Sequence, residues 1–271
     1  MRVIALAEWK NLRSARFRWE SIMRPIYALV LLCIVLDAPA RAAELQVVCP
    51  PLVRDGMTDL ASAYTKQTGK AVVVRSDVMG KIIDDIRTGT PAADVVVLPP
   101  DLMDVLAKDN GIKAGTRMAV GRVEIALATR PGAPHPDIST VEKLRAVLLG
   151  AKTLAYTQPG PPRNSMEARI IDQMLHRPEF SGVHTMTVTT GSGVSALAKG
   201  DSDLALQVIP EITAQPGIEL VGPLPPELGA HIDTEIAVSE RSTDATNATA
   251  FIRYITRPEA AEAWKRFGLD R

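Results

Sequence analysis

The sequence predicts an α/β fold in which mostly parallel strands alternate with amphipathic helices. Short apolar runs recur along the chain, helical spacing of apolar residues fills the intervals, and glycines or prolines separate the two. The 271 residues, 46% hydrophobic and 23% charged, suffice for one large domain or two modest ones. Most of the chain is therefore expected to be folded.

Nine apolar runs are predicted strands. In chain order they are Leu45–Val48, Ala71–Arg75, Val95–Leu98, Val123–Thr129, Thr153–Tyr156, His184–Val188, Leu204–Val208, Glu219–Val221 and Thr234–Val238. Apolar residues at helical spacing predict helices at Arg54–Thr68, Met166–Leu175, Val194–Lys199 and Pro258–Phe267. Gly69 follows the first helix, where a glycine commonly ends a helix in the left-handed conformation.

The first 43 residues are typical of an export signal. Arg24 precedes the apolar run Ile26–Leu36, and small residues lead to an expected cleavage after Ala42 or Ala43. The apolar run is too short for a stable membrane anchor. Residues before Met23 are long and arginine-rich for such a signal, so Met23 is an alternative start. We therefore expect an exported, soluble protein.

The chain after residue 43 is mildly acidic. Seven of the 31 basic and three of the 31 acidic residues precede residue 44, which leaves a net charge of −4. No basic stripe is present, so nucleic acid is not an expected partner. Cys49 is the one cysteine after the signal, and it is expected to be a small buried residue at a strand end rather than a reactive thiol.

Two stretches predict that the chain crosses twice between two lobes. Residues 121–126 join a turn to a strand, and the proline-rich segment 221–229 leads back. The first lobe would then comprise residues 44–122 and 230–271, and the second residues 123–229. Because α/β sheets bind ligands at the carboxyl ends of their strands, a cleft between the lobes is the expected site.

Four segments of the sequence resemble the periplasmic molybdate-binding protein family of ABC importers and the wider type 2 solute-binding proteins. They are LQVVCPPLVRDGMTDLASAYTKQTG (45–69), GTPAADVVVLPPDLMDVLAKDNGI (89–112), TTGSGVSALAKGDSDLALQVIPEI (189–212) and AFIRYITRPEAAEAWKRFGL (250–269). The resemblance covers residues 44–269 and implies two α/β lobes, each with a central mixed sheet, around a ligand cleft. It also implies a monomer without cofactor, a small anion as ligand and a membrane permease as partner.

The hydroxyls with which that family binds oxyanions are missing here. Leu52 stands where the family has a serine after its first strand, and the turn 78–80 replaces a serine-rich turn. A tyrosine that often closes the site falls near Gln207 or Val208. Because a desolvated tetrahedral oxyanion needs many close donors, we expect an organic polycarboxylate rather than molybdate, tungstate or sulfate.

Four turns are expected to meet at the cleft, at residues 50–54, 77–81, 158–165 and 190–194. They offer cations, neutral polar groups, helix N-termini and apolar walls, a mixture that suits an organic acid with several carboxylates. The candidate ligand-binding residues are Leu52, Arg54, Met79, Gly80, Lys81, Arg163, Asn164, Ser165, Ser192, Gly193 and Gln207.

Each candidate is also compatible with a structural role. Arg54 and Lys81 suit solvated positions in a first helical turn, Met79 suits packing, and Gly80 suits a special backbone angle. Gly80 and Lys81 do not make a Walker A loop, since its first glycine and its hydroxyl are absent. The remaining polar candidates equally suit helix caps: Asn164, Ser165 and the segment Gly191–Gly193.

The alternative hypothesis is an enzyme on the same scaffold, because periplasmic aconitate isomerases resemble the molybdate-binding family in sequence. Such an enzyme would interconvert cis- and trans-aconitate and would need a base beside an acidic C–H bond, for which carboxylates or Lys81 are candidates. The four histidines are scattered and no GxSxG motif occurs, so no metal site or serine nucleophile is expected. A binding protein is the preferred hypothesis.

Overall fold

The computed structural model describes residues 44–160 and 165–271. The predicted export signal, residues 1–43, lies outside the described residues, and so do the candidates Arg163 and Asn164. In the described part of the chain, ten strands alternate with nine α-helices and three short 3₁₀ turns. None of those helices is long and apolar enough to cross a membrane.

The strands are β1 (Leu45–Cys49), β2 (Val72–Ser76), β3 (Val95–Leu98), β4 (Met118–Thr129), β5 (Leu154–Thr157), β6 (Thr185–Val188), β7 (Leu204–Val208), β8 (Glu219–Pro223), β9 (His231–Val238) and β10 (Leu269–Asp270). The helices are α1 (Pro51–Thr68), α2 (Met79–Thr88), α3 (Pro100–Lys108), α4 (Val141–Gly150), α5 (Met166–Leu175), α6 (Gly193–Lys199), α7 (Ile209–Ala214), α8 (Ala245–Ile255) and α9 (Ala261–Lys265). The 3₁₀ turns are Pro178–Phe180, Pro226–Leu228 and Pro258–Ala260.

The strands form a mixed sheet in the order β2-β1-β3-β9-β4-β7-β5-β6, and β8 and β10 also pair with β4. β1 runs parallel to β2 and β3, and β5 runs parallel to β6 and β7. β9 runs antiparallel to both β3 and β4. The predicted α/β class with a mixed sheet is confirmed.

The long strand β4 changes partners along its length. Up to Glu124 it pairs with β9, and from Ile125 it pairs with β7 and β8. We call β1, β2, β3, β9 and β10 the first half-sheet and β5, β6, β7 and β8 the second half-sheet. The predicted lobe boundaries, after residues 122 and 229, fall beside this change of partner and beside the start of β9. The division into lobes at those residues stays a prediction.

Apolar residues cover both faces of the first half-sheet. Val47 and Cys49 of β1 pack in one cluster with α1, whereas Val48 packs in another with Ile82 of α2 and Leu106 of α3. Neighbouring strand residues face opposite sides, so β1 is buried on both faces, and it is apolar except for the half-buried Gln46. The predicted burial of Cys49 is confirmed, and burial raises the pKa of its thiol to about 12.

Several element boundaries differ from those predicted; β4 begins at Met118 rather than Val123, and β9 begins at His231 rather than Thr234. α1 begins at Pro51 rather than Arg54, because Pro50 is extended and a proline fits the first position of a helix. The predicted turn 50–54 is therefore mostly the first turn of α1. The predicted helix from Pro258 is a 3₁₀ turn followed by α9, and the two-residue β10 was not predicted. Gly69 ends α1 with φ 73°, as predicted.

Candidate ligand-binding site

Two helices of the first half-sheet begin at the carboxyl ends of its strands. β1 leads through Pro50 into α1, and β2 leads through Asp77 and Val78 into α2. Pro50 and Val78, the N-cap residues, are both extended, and neither helix has a side-chain cap. The first N–H groups of a helix lack the usual intrahelical acceptors, so α2 can donate through Met79 and Gly80. At the start of α1, Pro50 and Pro51 have no N–H and the Val53 N–H donates to the Pro50 carbonyl oxygen at 3.2 Å, which leaves the Leu52 N–H.

A cavity of about 220 Å³ lies between the starts of α1, α2 and α5. We call it the central cavity. Its walls come from α1 and α2 of the first half-sheet and from α5 and α7, which pack beside the second. The lining residues are Pro50, Pro51, Leu52, Val78, Met79, Gly80, Ser165, Met166, Glu167 and Glu211.

Four of the predicted ligand residues meet at the central cavity: Leu52, Met79, Gly80 and Ser165. A Cβ built on Gly80 would have no atom within 4 Å, so space is open beside this backbone. The Ser165 hydroxyl accepts a hydrogen bond from the Ala168 N–H at 3.2 Å, so the capping role considered for Ser165 is present in the structure.

Arg54 and Ser192 line a neighbouring pocket of about 380 Å³. Arg54 is about half exposed, and its Nε donates to Asp55 Oδ1 at 2.9 Å. Ser192 begins α6 as part of a capping box. Pro51 and Glu211 line this pocket and the central cavity, so the two spaces share a wall.

Gly193 is pressed against the backbone of β5 and lines neither of these spaces. A Cβ at this position would lie 2.7 Å from Tyr156 Cα and 2.8 Å from the Ala155 carbonyl oxygen. Both neighbours are backbone atoms that cannot turn away as a flexible side chain can. Glycine is therefore required here for α6 to approach β5.

The Lys81 ammonium pairs with Asp85, one turn further along α2, and is not part of the central cavity. The Asp85 side chain is 3% exposed, and Arg75 Nη1 also donates to it, at 2.6 Å. Burial raises the pKa of Asp85, but hydrogen bonds from Lys81 and Arg75 outweigh burial and hold this pKa below its ordinary value. The charge predicted to face the ligand is thus already paired.

Gln207 is buried in β7. Its Nε2 donates to Thr157 Oγ1 at 3.3 Å, and its Oε1 accepts from the Val208 N–H at 2.9 Å. These contacts tie the carboxyl ends of β5 and β7 together. Gln207 lines neither the central cavity nor the neighbouring pocket.

Two glutamates in the central cavity were not singled out from the sequence. Glu167 lies in the first turn of α5, and Glu211 lies in α7. Glu167 is 8% exposed, and its side chain makes no hydrogen bond or ion pair with residues 44–160 or 165–271. The sequence signal was weak, because an acid just after a serine cap is also the ordinary pattern of a solvated helix start.

The central cavity therefore combines helix starts, an apolar wall and carboxylates. Helix starts attract anions, whereas carboxylates accept hydrogen bonds or protons. Val78 adds an apolar group that is 57% exposed. No cluster of three or more potential metal ligands occurs in residues 44–160 and 165–271.

A family model for bacterial extracellular solute-binding proteins matches residues 45–270. The chain belongs to this family. The predicted resemblance is confirmed, and so is the class it implied, a solute-binding protein of the ABC-importer family. The small anion and the membrane permease that this class implies stay predictions.

Individual relatives cover most of the chain. An aconitate isomerase from a Pseudomonas species is 26% identical over 246 residues, which are 89% of this chain and 93% of that protein. The molybdate-binding protein ModA of Escherichia coli K12 is 22% identical over 234 residues, 86% of this chain and 91% of ModA.

Solved structures of solute-binding proteins share the fold. The substrate binding domain of a putative molybdenum ABC transporter from Clostridium difficile has a TM-score of 0.70 at 14% sequence identity. The match covers 84% of this chain and 98% of that domain. It identifies the fold as that of a type 2 periplasmic solute-binding protein.

Proposed function

We propose that the protein is a periplasmic receptor that captures a small organic anion with more than one carboxylate and delivers it to an importer permease. The observation that carries this proposal is the meeting of three helix starts around one partly apolar cavity. The starts of α1 and α2 supply N–H donors and positive dipole ends for the carboxylates, and the start of α5 completes the wall. Leu52, Val78 and Met79 supply apolar surface for a carbon skeleton.

The same cavity is poorly suited to a tetrahedral oxyanion. Among its described lining residues the one hydroxyl is that of Ser165, and this oxygen already caps α5. Each donor that a desolvated oxyanion lacks costs about 1–3 kcal/mol.

The dimensions of the cavity favour a small metabolite. A volume of about 220 Å³ lies below the range of about 300–1,000 Å³ typical of sites for drug-sized ligands. Because the lining comes from both halves of the molecule, a bound ligand would hold the two together. Differential affinity of this kind is what drives closure of two-lobed receptors.

The proposed ligand contacts are residues of the central cavity, with Leu52, Met79 and Gly80 on one wall and Ser165 on the other. Arg163 and Asn164 lie outside the described residues and remain proposed contacts, because they directly precede Ser165 in sequence. Arg54 and Ser192 are proposed contacts only for a ligand that extends into the neighbouring pocket.

A thermal-shift panel tests this proposal. The purified protein, dialysed exhaustively, is melted with citrate, cis-aconitate, trans-aconitate, molybdate and sulfate at equal concentration. The proposal predicts a rise in melting temperature with at least one carboxylate and none with the inorganic anions. A rise with molybdate or sulfate alone would overturn it.

A second candidate function is the interconversion of cis- and trans-aconitate. The relation to an aconitate isomerase and the two cavity glutamates favour it. A carboxylate would remove a proton from the methylene carbon, the electron pair would shift along the three-carbon unit, and the proton would return to the former alkene carbon. Helix N–H groups would stabilise the intermediate charge. An NMR time course with trans-aconitate separates the candidates, because only the isomerase produces cis-aconitate faster than buffer.

A further inference from the structure

We propose that Glu167 sets ligand specificity by accepting a hydrogen bond from a hydroxyl of the ligand, so that the preferred ligand is a hydroxylated polycarboxylate. This inference rests on the proposed function and narrows its substrate class. It assigns to α5 a role that the helix starts of α1 and α2 cannot perform.

The first observation is that Glu167 lines the central cavity and that its carboxylate has no partner among residues 44–160 and 165–271. The residue is 8% exposed, and its carboxylate oxygens are open to the cavity rather than sealed in the protein interior. A ligand that fills the cavity would take water away from this carboxylate. A donor on the ligand would replace the lost hydrogen bonds in the bound state.

The second observation is the contrast with Glu142, which occupies the same position in another helix. Thr140 and Ser165 are N-caps whose side chains accept from the helix backbone, and Glu142 and Glu167 follow them by two residues. Glu142 is exposed, and hydrogen bonds with its own backbone N–H and with Thr140 lower its pKa. A glutamate at this position can thus serve its own helix end, whereas Glu167 lines the cavity.

The third observation is the polarity of the facing walls. The uncapped starts of α1 and α2 present donors and positive dipole ends, whereas α5 presents an acceptor. A ligand with carboxylates toward α1 and α2 and a hydroxyl toward Glu167 satisfies both walls. A ligand carboxylate placed at Glu167 would instead meet a like charge.

Two probes that differ by one hydroxyl test this inference. Citrate carries a hydroxyl on its central carbon, and propane-1,2,3-tricarboxylate has hydrogen there. Calorimetric titration of the wild-type protein is expected to show at least a ten-fold higher affinity for citrate than for propane-1,2,3-tricarboxylate. The ligand without a hydroxyl would leave the Glu167 carboxylate without a donor. The Glu167→Gln variant keeps the shape but loses the charge, and its preference is expected to fall at least five-fold.

Glu142→Gln is the matched control. It removes the same charge from the same helical position away from the central cavity, so the preference for citrate should stay at the wild-type value. Glu167→Asp is a second variant, because it keeps the charge but withdraws it by one methylene, and its preference should fall as well. Circular dichroism melts identify which variants are folded before titration.

The outcomes separate the inference from the function on which it rests. If the wild-type protein binds neither tricarboxylate nor any other carboxylate of the panel, the proposed function fails. If it binds both tricarboxylates equally, or if the folded Glu167 variants keep the wild-type preference, the role of Glu167 is refuted while the polycarboxylate receptor stands.

Discussion

Replacement of Gly80 by alanine is expected to stabilise the protein and to weaken ligand binding. Gly80 is the second residue of α2, it has no left-handed φ, and a Cβ built there meets no atom within 4 Å. Alanine therefore fits without strain. The gain expected from a glycine-to-alanine change at an unstrained helical position is about 0.5–1 kcal/mol of unfolding free energy.

The space that the new methyl group would fill is part of the central cavity. A ligand that approaches the α2 backbone closely would meet this methyl group. Overpacking of that kind costs about 1–3 kcal/mol, which corresponds to a loss of affinity of about 5- to 150-fold. Stability and affinity should therefore change in opposite directions.

Urea denaturation measures the first effect and calorimetric titration with citrate the second. Gly150→Ala is the control, because Gly150 ends α4, also has open space at its Cβ position, and does not line the cavity. The control should not change affinity. Wild-type affinity in Gly80→Ala would refute the close approach of ligand to α2, and a loss of stability would refute the packing argument.

Three further predictions concern residues around the site. Lys81→Ala should lower the unfolding free energy by less than about 1 kcal/mol, because the Lys81 side chain is half exposed and Asp85 keeps its ion pair with Arg75. Calorimetry should show an affinity within about two-fold of wild type, and a ten-fold loss would place the ammonium on the ligand. Gly193→Ala should cost about 1–3 kcal/mol in urea denaturation, because its Cβ would strike the β5 backbone; an unchanged midpoint would show that α6 can shift freely. The pKa of Asp85 is lower in the folded state than in the unfolded state. Its ion pairs therefore stabilise the protein fully at pH values above the unfolded pKa of about 3.9. This stabilisation is lost as the pH falls through the pKa of the folded state. Urea denaturation at pH 7 and at pH 3 should therefore show that acid lowers the unfolding free energy more for wild type than for Asp85→Asn. An equal decrease in both proteins would contradict the ion pairing of Asp85.

The central strands β3 and β7 were predictable because they are buried on both faces. β3 reads as an uninterrupted apolar run, β7 as an apolar run that contains Gln207, and both occur at the predicted residues. The start of α1 was misplaced because Pro50 and Pro51 read as a turn, although a proline also fits the first position of a helix. β10 is too short to leave a recognisable pattern, and its pairing with β4 depends on tertiary contacts.

The candidate site was predictable only where residues follow strand ends directly. Leu52, Met79 and Gly80 lie just beyond β1 and β2, and the carboxyl ends of parallel strands meet at one edge. The pairing of Lys81 had a local signal, since Asp85 is four residues further along a helix. Glu167 had only a weak signal, because its burial depends on how α5 packs near the starts of α1 and α2.

The most direct test of the central claim is an NMR titration of the ¹⁵N-labelled protein with citrate, followed through the backbone amides of Met79, Gly80 and Glu167. If helix starts bind the carboxylates, these amide signals shift progressively and saturably with citrate and stay unchanged with equal molybdate. Unchanged amides with citrate, or saturable shifts with molybdate instead, would contradict the account.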